Sequence, residues 1–346
     1  MSGQVDNTPF SPPLWLPEGQ SQTIIGSRFA SHPQIHFERQ RLTTLDGDFI
    51  DLDWNIPGLH EIHGSYTREP IRSAKANDFK GRALVLFHGL EGSSQSHYAQ
   101  AICHDFRALG WAVVVAHFRG CSGENNRLAR SYFSGDTQDV AYIMRCIQER
   151  LPQAQWYAAG VSMGGNVLLK YAGEQGSALK HLQAIAAISA PTDLAACARQ
   201  LGQGFFSRAI YTPYFLITMK KKMREKHQQW GEQIPIKKIQ SARTLWDFDD
   251  VYTGPIHGFA GALDYYQRCS SKPGLIDVQV PCLVLNAQND PFVPASSLPK
   301  PHEVSPYVTL HQPLHGGHVG FSQGRFPSKL GWLSQRLLAF FNDYSQ

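Results

Sequence analysis

One stretch constrains this chain more than any other: Gln155-Trp156-Tyr157-Ala158-Ala159-Gly160-Val161-Ser162-Met163-Gly164-Gly165-Asn166-Val167-Leu168-Leu169-Lys170-Tyr171. Its first half is a short apolar run with strand character, and its second half begins a helix. A serine joining the two must turn sharply, in a backbone conformation that side chains with a Cβ resist. Gly160 and Gly164, two positions either side, remove the side chains that would collide there. Ser162 is thereby held up at the positive end of a helix, and the N–H of Met163 faces any oxyanion formed on an acyl group that Ser162 attacks. Gly-x-Ser-x-Gly alone also occurs in ordinary loops, so the rest of the chain decides its meaning.

The flanking sequence repeats one pattern. Arg82–Phe87, Trp111–His117, residues 155–159 and Leu182–Ala190 are strand-like apolar runs. Helical segments over 96–109, 136–150 and 164–173 lie between them. Such alternation predicts an α/β architecture, a mostly parallel sheet with helices on both faces. All the strand ends that carry sites then fall on one rim. Ahead of this, Phe37–Trp54 reads as a hairpin around Asp46-Gly47 at the sheet edge, and 57–80 as a loop. Residues 1–35, rich in Pro, Ser and Gln, read as an arm on the surface. The pattern breaks at Pro191, and residues 192–275 read as a helical cap insertion with helices over 193–203, 206–226 and 258–269. The core then comprises residues 36–191 and 276–346. Strands resume over 282–286 and 307–310, and a final helix over 329–344 carries Leu330, Leu333, Leu337, Leu338 and Phe341 on one face.

Composition removes several classes of function. Of 346 residues, 42% are hydrophobic and 17% charged, and the formal net charge is +4, too small to imply a nucleic-acid partner. No run approaches the length of a spanning helix, and residues 1–20 lack the basic start and apolar core of a secretion signal. The 6 cysteines lack metal-site spacing, which suits reduced thiols in a cytoplasmic protein.

A serine hydroxyl becomes a nucleophile when an imidazole takes its proton, and a carboxylate must orient that imidazole. Asp290, in Asn286-Ala287-Gln288-Asn289-Asp290-Pro291-Phe292, lies just past a predicted strand. Asp193 is the runner-up, although Pro191-Thr192-Asp193 also reads as a helix start, and Asp277 belongs to the connection back from the cap. The base comes from the His311…His315-Gly316-Gly317-His318 cluster. His318 has glycines around it that leave room in a crowded site, while His315 remains open by position and His311 falls in the last strand. The second oxyanion donor is the N–H of Leu90 in His88-Gly89-Leu90-Glu91-Gly92, where His88 ties the loop down. The Arg119-Gly120-Cys121-Ser122-Gly123 loop reads as a tight turn packed on the elbow.

At this point the chain resembles the α/β-hydrolases, and more narrowly the YheT-type bacterial esterases with their embryogenesis-associated and ABHD lipid-hydrolase relatives. The matching stretches are Ser21-Gln22-Thr23-Ile24, Leu45-Asp46-Gly47-Asp48-Phe49, Phe87-His88-Gly89-Leu90-Glu91-Gly92 and His117-Phe118-Arg119-Gly120-Cys121-Ser122-Gly123-Glu124. Further ones are the Ser162 elbow, Phe248-Asp249-Asp250, His257-Gly258, Asp264-Tyr265-Tyr266, Asp290-Pro291-Phe292 and His315–Phe321. The resemblance implies an α/β-hydrolase fold and a charge-relay set of Ser162, Asp290 and His318, choosing His318 over His315.

The leading expectation is therefore a serine carboxylic-ester hydrolase acting through an acyl-enzyme, with no metal or organic cofactor. Its partner is a small-molecule ester or lipid, of short to medium chain. Transfer of the acyl group to an alcohol is the alternative, and a non-catalytic binding protein a third reading. Phe205, Phe206, Tyr211, Tyr214 and Phe215 of the cap read as an acyl pocket. Lys220–Lys222 read either as a weak membrane-surface contact or as a solvated helix end. A monomer is the simplest expectation.

Overall fold

The computed structural model describes residues 2–58 and 78–345. A nine-stranded sheet forms its centre, in the order β1-β9-β8-β7-β6-β4-β5-β3-β2. The strands are β1 (Gln4–Asp6), β2 (Glu38–Thr43), β3 (Phe49–Asn55), β4 (Arg82–Phe87), β5 (Ala112–Ala116), β6 (Gln155–Val161), β7 (Leu182–Ile188), β8 (Cys282–Leu285) and β9 (Val308–His311). From β1 across to β5 every neighbouring pair is parallel. The β2–β3 hairpin is antiparallel and closes the edge, as its Asp-Gly turn predicts. Arg39 stands opposite Asp53 and Arg41 opposite Asp51 in that register, and each pair is joined by two N–H···O bonds. Like-facing cross-strand partners of opposite charge favour this register over its slipped neighbours.

The central strands are buried on both sides, which explains why they read as continuous apolar runs rather than alternating ones. Ala83, Val85 and Phe87 face helices α3 (Thr137–Arg150) and α4 (Met163–Gln175). Leu84 and Leu86 face the opposite layer, made by α2 (His97–Ala108) and α10 (Gly331–Asn342). In α10, Leu333, Leu337 and Phe341 recur at helical spacing and are fully buried against Phe106, Trp111 and Tyr157. Burial of each such side chain stabilises the fold by about 1.5–3 kcal/mol.

Between β7 and β8 the chain leaves the sheet and builds a helical layer over its rim. It contains α5 (Leu194–Leu201), α6 (Thr212–Trp230), α7 (Ile236–Ser241), α8 (Leu245–Phe248) and α9 (Ala262–Cys269). The sequence anticipates α5, α6 and α9. It missed α7 and α8, which are too short to show a period. This layer has its own apolar centre, with Leu216, Met219 and Met223 of α6 against Ile239, Phe248 and Tyr252.

One expectation changes, at the N-terminus. Residues 1–35, read as a surface arm, add β1 to the sheet edge and form α1 (Gly19–Arg28), in which Gln22 and Thr23 are buried. A polar helix enters the interior here because the groups it meets there are polar too. The predicted loop at 57–80 lies mostly outside the described residues.

Candidate active site

The strand-to-helix junction has the geometry its sequence requires. Ser162 takes φ 53° and ψ −121° between β6 and α4, a conformation costing about 1–3 kcal/mol for a residue with a Cβ. Its surroundings hold it there. The Ser162 N–H donates to the Ile188 carbonyl at 2.8 Å, and its own carbonyl accepts from Gly165 and Asn166. A Cβ at Gly160 would overlap the backbone of Gly164 and Gly165, and one at Gly164 the carbonyls of Phe87 and His88. Asn166 is buried one turn along. Its amide donates to the Ser134 and Cys269 carbonyls and accepts from the Ser271 N–H, tying α4 to the return of the cap layer.

Three parallel strands deliver the remaining groups to the same rim. Past β8, Asp290 accepts the N–H groups of Phe292 and Val293 on Oδ1 at 2.7 and 3.2 Å. Its Oδ2 accepts from His318 Nδ1 at 2.8 Å. A carboxylate can only accept, so Nδ1 carries the proton and Nε2 is left as acceptor. Nε2 lies 3.0 Å from Ser162 Oγ. The imidazole also rests on the Phe292 ring, with centroids 4.2 Å apart.

Helix α1 holds the His318 loop from behind. The His318 N–H donates to Thr23 Oγ1 at 2.9 Å. Gln22 Oε1 accepts from the Gly316 N–H and from the Asn289 amide, at 2.8 and 3.1 Å. Asn289 in turn accepts the Gly317 N–H. A Cβ on Gly317 would come within 2.8 Å of Thr23 Oγ1 and the Gly19 carbonyl. Gly317 thus makes room for α1, and a Cβ on Gly316 would meet the Phe321 ring and Ala287. Sequence reasoning assigned Gln22 and Thr23 no role; their only signal was the matching Ser21–Ile24 stretch.

The loop after β4 faces Ser162 from the other side. The Gly89 N–H is taken by Tyr98 Oη and the Glu91 N–H by Tyr132 Oη. The N–H groups of Leu90 and Met163 meet no acceptor among the described residues. His88 ties this loop down, as expected. Its Nδ1–H donates to the Gly89 carbonyl, and Nε2 accepts the Phe118 N–H. Burial, with help from His117 nearby, pushes its pKa down to about 3, so the ring stays neutral.

Glu91 adopts φ 54° and carries a cluster that the sequence did not reveal. Lys222 of α6 donates to Glu91 Oε1 at 2.8 Å, and Tyr132 Oη donates to the same oxygen at 2.9 Å. Lys220 donates to the carbonyls of Gln240 and Ala242. The Lys220–Lys222 run is therefore not a uniform basic end; two of its ammonium groups are turned into the protein, and Lys221 alone is exposed.

The other candidates resolve on their hydrogen bonds. Asp193 caps α5, accepting the Ala196 N–H. His311 is buried between the Thr8 carbonyl and Arg336. His315 is 3.5 Å from the Asn289 amide, on a path that does not lead to Ser162. Asp277 ends the 3-10 turn Lys272–Asp277 on the way back to β8. Arg119 is buried and chelates both oxygens of Asp139, bracing the turn it opens.

Two cavities meet at Ser162 and His318. The inner one, of about 130 Å³, is walled chiefly by apolar groups including Leu194, Leu201, Met219, Phe248 and Val293. The outer one, of about 450 Å³, opens between α1, the Gly89–Tyr98 loop and Tyr211–Phe215. Of the five aromatics expected to line an acyl pocket, Phe215 borders both cavities, and Tyr211 and Tyr214 border the outer one. Phe205 and Phe206 lie in neither wall and are exposed, 78% and 40%.

This fold and this rim define a hydrolase class, and the comparison with known proteins agrees. Residues 82–324 match the alpha/beta hydrolase fold family, and the chain belongs to it. YheT of Escherichia coli (strain K12), which carries an esterase name, is 38% identical over 325 residues, 93% of this chain and 90% of that protein. Phospholipase ABHD3 of Homo sapiens is 29% identical over 328 residues, 94% of this chain and 76% of that one. Among solved structures, the Pyrococcus furiosus esterase Pf2001 superposes with a TM-score of 0.54 at 14% identity, covering 91% of this chain and 100% of that chain; this likeness is one of fold. The chain is an enzyme of the esterase and lipase type.

Proposed function

We propose that the chain hydrolyses carboxylic esters through an acyl-enzyme on Ser162, with His318 as the base and Asp290 as its orienting carboxylate. The observation that carries this reading is the unbroken chain from Asp290 Oδ2 through His318 to Ser162 Oγ, at 2.8 and 3.0 Å. As Oγ attacks the ester carbon, Nε2 takes the hydroxyl proton, and Asp290 stabilises the imidazolium. The carbonyl oxygen, now negative, sits between the N–H groups of Leu90 and Met163; each such donor is worth about 10²–10³ in rate. Collapse expels the alcohol, which receives the proton from Nε2. A water then gives a proton to Nε2 and attacks the acyl carbon; collapse of this second intermediate breaks the bond to Ser162 Oγ, which takes the proton back from Nε2 as the acid leaves. No metal or organic cofactor takes part in these steps.

The apolar inner cavity suits a short- to medium-chain or lipid-like acyl group, and relatives named as phospholipase and esterase support an ester of this kind. The reading takes the enzyme to act as a monomer. The cysteines are free thiols, in keeping with the cytoplasm. The cap layer, residues 192–275, is taken as the element that sets substrate choice, since α6 and α8 wall the inner cavity. The test is hydrolysis of p-nitrophenyl esters from two to sixteen carbons beside Ser162→Ala. Turnover at short or medium chains that vanishes in the variant is expected; turnover retained by Ser162→Ala overturns the assignment.

A further inference from the structure

Beside the outer cavity, and meeting its wall at Arg28 and Tyr214, lies a patch of side chains that the fold leaves uncovered. Four stretches of the chain supply them. From the segment before α1 comes Trp15, 39% exposed, next to Leu14 at 100%. The end of α1 supplies Arg28 and Phe29, the latter 50% exposed. The loop past His318 supplies Arg325 and Phe326, 64% exposed, and α6 supplies Tyr214 and Ile217, at 57% and 66%. These are contiguous. Phe326 packs edge-on against Trp15 with centroids 5.8 Å apart and reaches Phe29 at 6.1 Å. The Arg28 guanidinium lies 5.8 Å over the Tyr214 ring. Ile217 follows Tyr214 by one turn. Arg28 and Tyr214 also line the cavity that Ser162 borders.

A soluble chain seldom leaves so many large apolar groups together unless something covers them. The charges around them indicate what. On α6 the exposed stripe that begins with Tyr214 and Ile217 continues to Lys221 and Arg224. Among the described residues Arg28, Lys221, Arg224 and Arg325 form no ion pair with a carboxylate. A second copy of this chain on a two-fold axis would set this basic face against itself, which is unfavourable. Aromatic rings flanked by unpaired guanidinium and ammonium groups instead match a bilayer interface, where rings sit among the headgroups and cations meet anionic lipid.

We propose that this rim, formed jointly by the N-terminal segment, the 324–329 loop and the outer face of α6, docks the chain on an anionic bilayer with the mouth of the outer cavity against the lipid. The surface is not the Lys220–Lys222 run as such, since Lys220 and Lys222 point inward. It rests on the ester-hydrolase reading for its purpose: an ester that partitions into lipid enters the cavity without crossing water.

The test uses the full chain with vesicles of phosphatidylcholine alone and with about one-third phosphatidylglycerol. Co-sedimentation is expected with the anionic vesicles, weakening as salt rises from 0.1 to 0.5 M because the screening length shrinks below about 10 Å. A Phe29→Ser, Ile217→Ser, Phe326→Ser variant is expected to lose about tenfold or more of this binding. It should keep wild-type hydrolysis of soluble p-nitrophenyl butyrate, which also reports that it is folded. Absence of wild-type binding, binding that ignores lipid charge, or undiminished binding by the triple variant overturns the proposal, as does self-association of the wild type through these residues. Vesicle binding without any ester hydrolysis sinks the function reading and leaves the docking surface standing.

Discussion

The backbone N–H of His318 donates to the hydroxyl of Thr23, a residue 295 positions earlier in the chain. Gln22 binds the same loop at Gly316, and through Asn289 it also binds the loop that carries Asp290. The imidazole that faces Ser162 is therefore aimed by a helix that precedes every strand of the sheet except β1. Replacing Thr23 by Val keeps the volume and removes the acceptor. A loss of about 1 kcal/mol in positioning is expected, a fall of about fivefold to tenfold in kcat with KM little changed. Steady-state kinetics on a soluble ester check this, and Thr23→Ser should restore most of the rate.

Ser162 is strained because its backbone occupies a region that favours glycine. Ser162→Gly is expected to abolish ester hydrolysis while raising stability by about 1 kcal/mol, read as a higher urea midpoint. Gly164→Ala should do the reverse, since a methyl group there meets two backbone carbonyls that cannot step aside. A loss of about 3 kcal/mol or failure to fold is expected.

Lys222 and Glu91 join the cap layer to the residue that follows Leu90. Burial works against the lysine's charge, but Cys121 and Glu91 beside it hold its pKa above the ordinary value. Removing one partner strands the other: Lys222→Met and Glu91→Gln should each destabilise by about 1–3 kcal/mol and lower kcat. The double variant should recover part of that stability. Thermal unfolding and kcat measured round the cycle test the coupling, and strict additivity would argue against it.

Asp249 borders the inner cavity, with Tyr266 Oη donating to it at 2.6 Å. Burial raises its pKa to about 6, against which Thr253 and Tyr266 act only partly. Because the folded-state value lies above the unfolded one, the folded chain binds more protons between about pH 4 and 6. This contribution to stability is full below pH 4 and is lost as pH rises through 6. Asp249→Asn should remove that slope, and at pH 8 stabilise the chain by about 1–3 kcal/mol relative to wild type. Denaturant midpoints across pH 4–8 give the answer.

Chain order and local pattern carried a large share of this structure. Continuous apolar runs such as Leu84–Phe87 announce strands buried on both faces, and Gly160, Ser162 and Gly164 announce the turn, because both depend on sterics within a few residues. Asp290 and Asp193 were separable in principle, since Asp193 sits where a helix start needs its side chain and Asp290 where a strand ends. What only the tertiary structure decided are the contacts between distant segments. Gln22 and Thr23 read as an ordinary polar stretch until the His318 loop is brought to them. Lys222 reads as one of three surface lysines until α6 crosses the Leu90 loop and offers Glu91. Hydrophobic periodicity records which face of an element is buried, but not against what. A polar side chain buried by its partner leaves no local trace, because the energy that keeps it inside belongs to the pair.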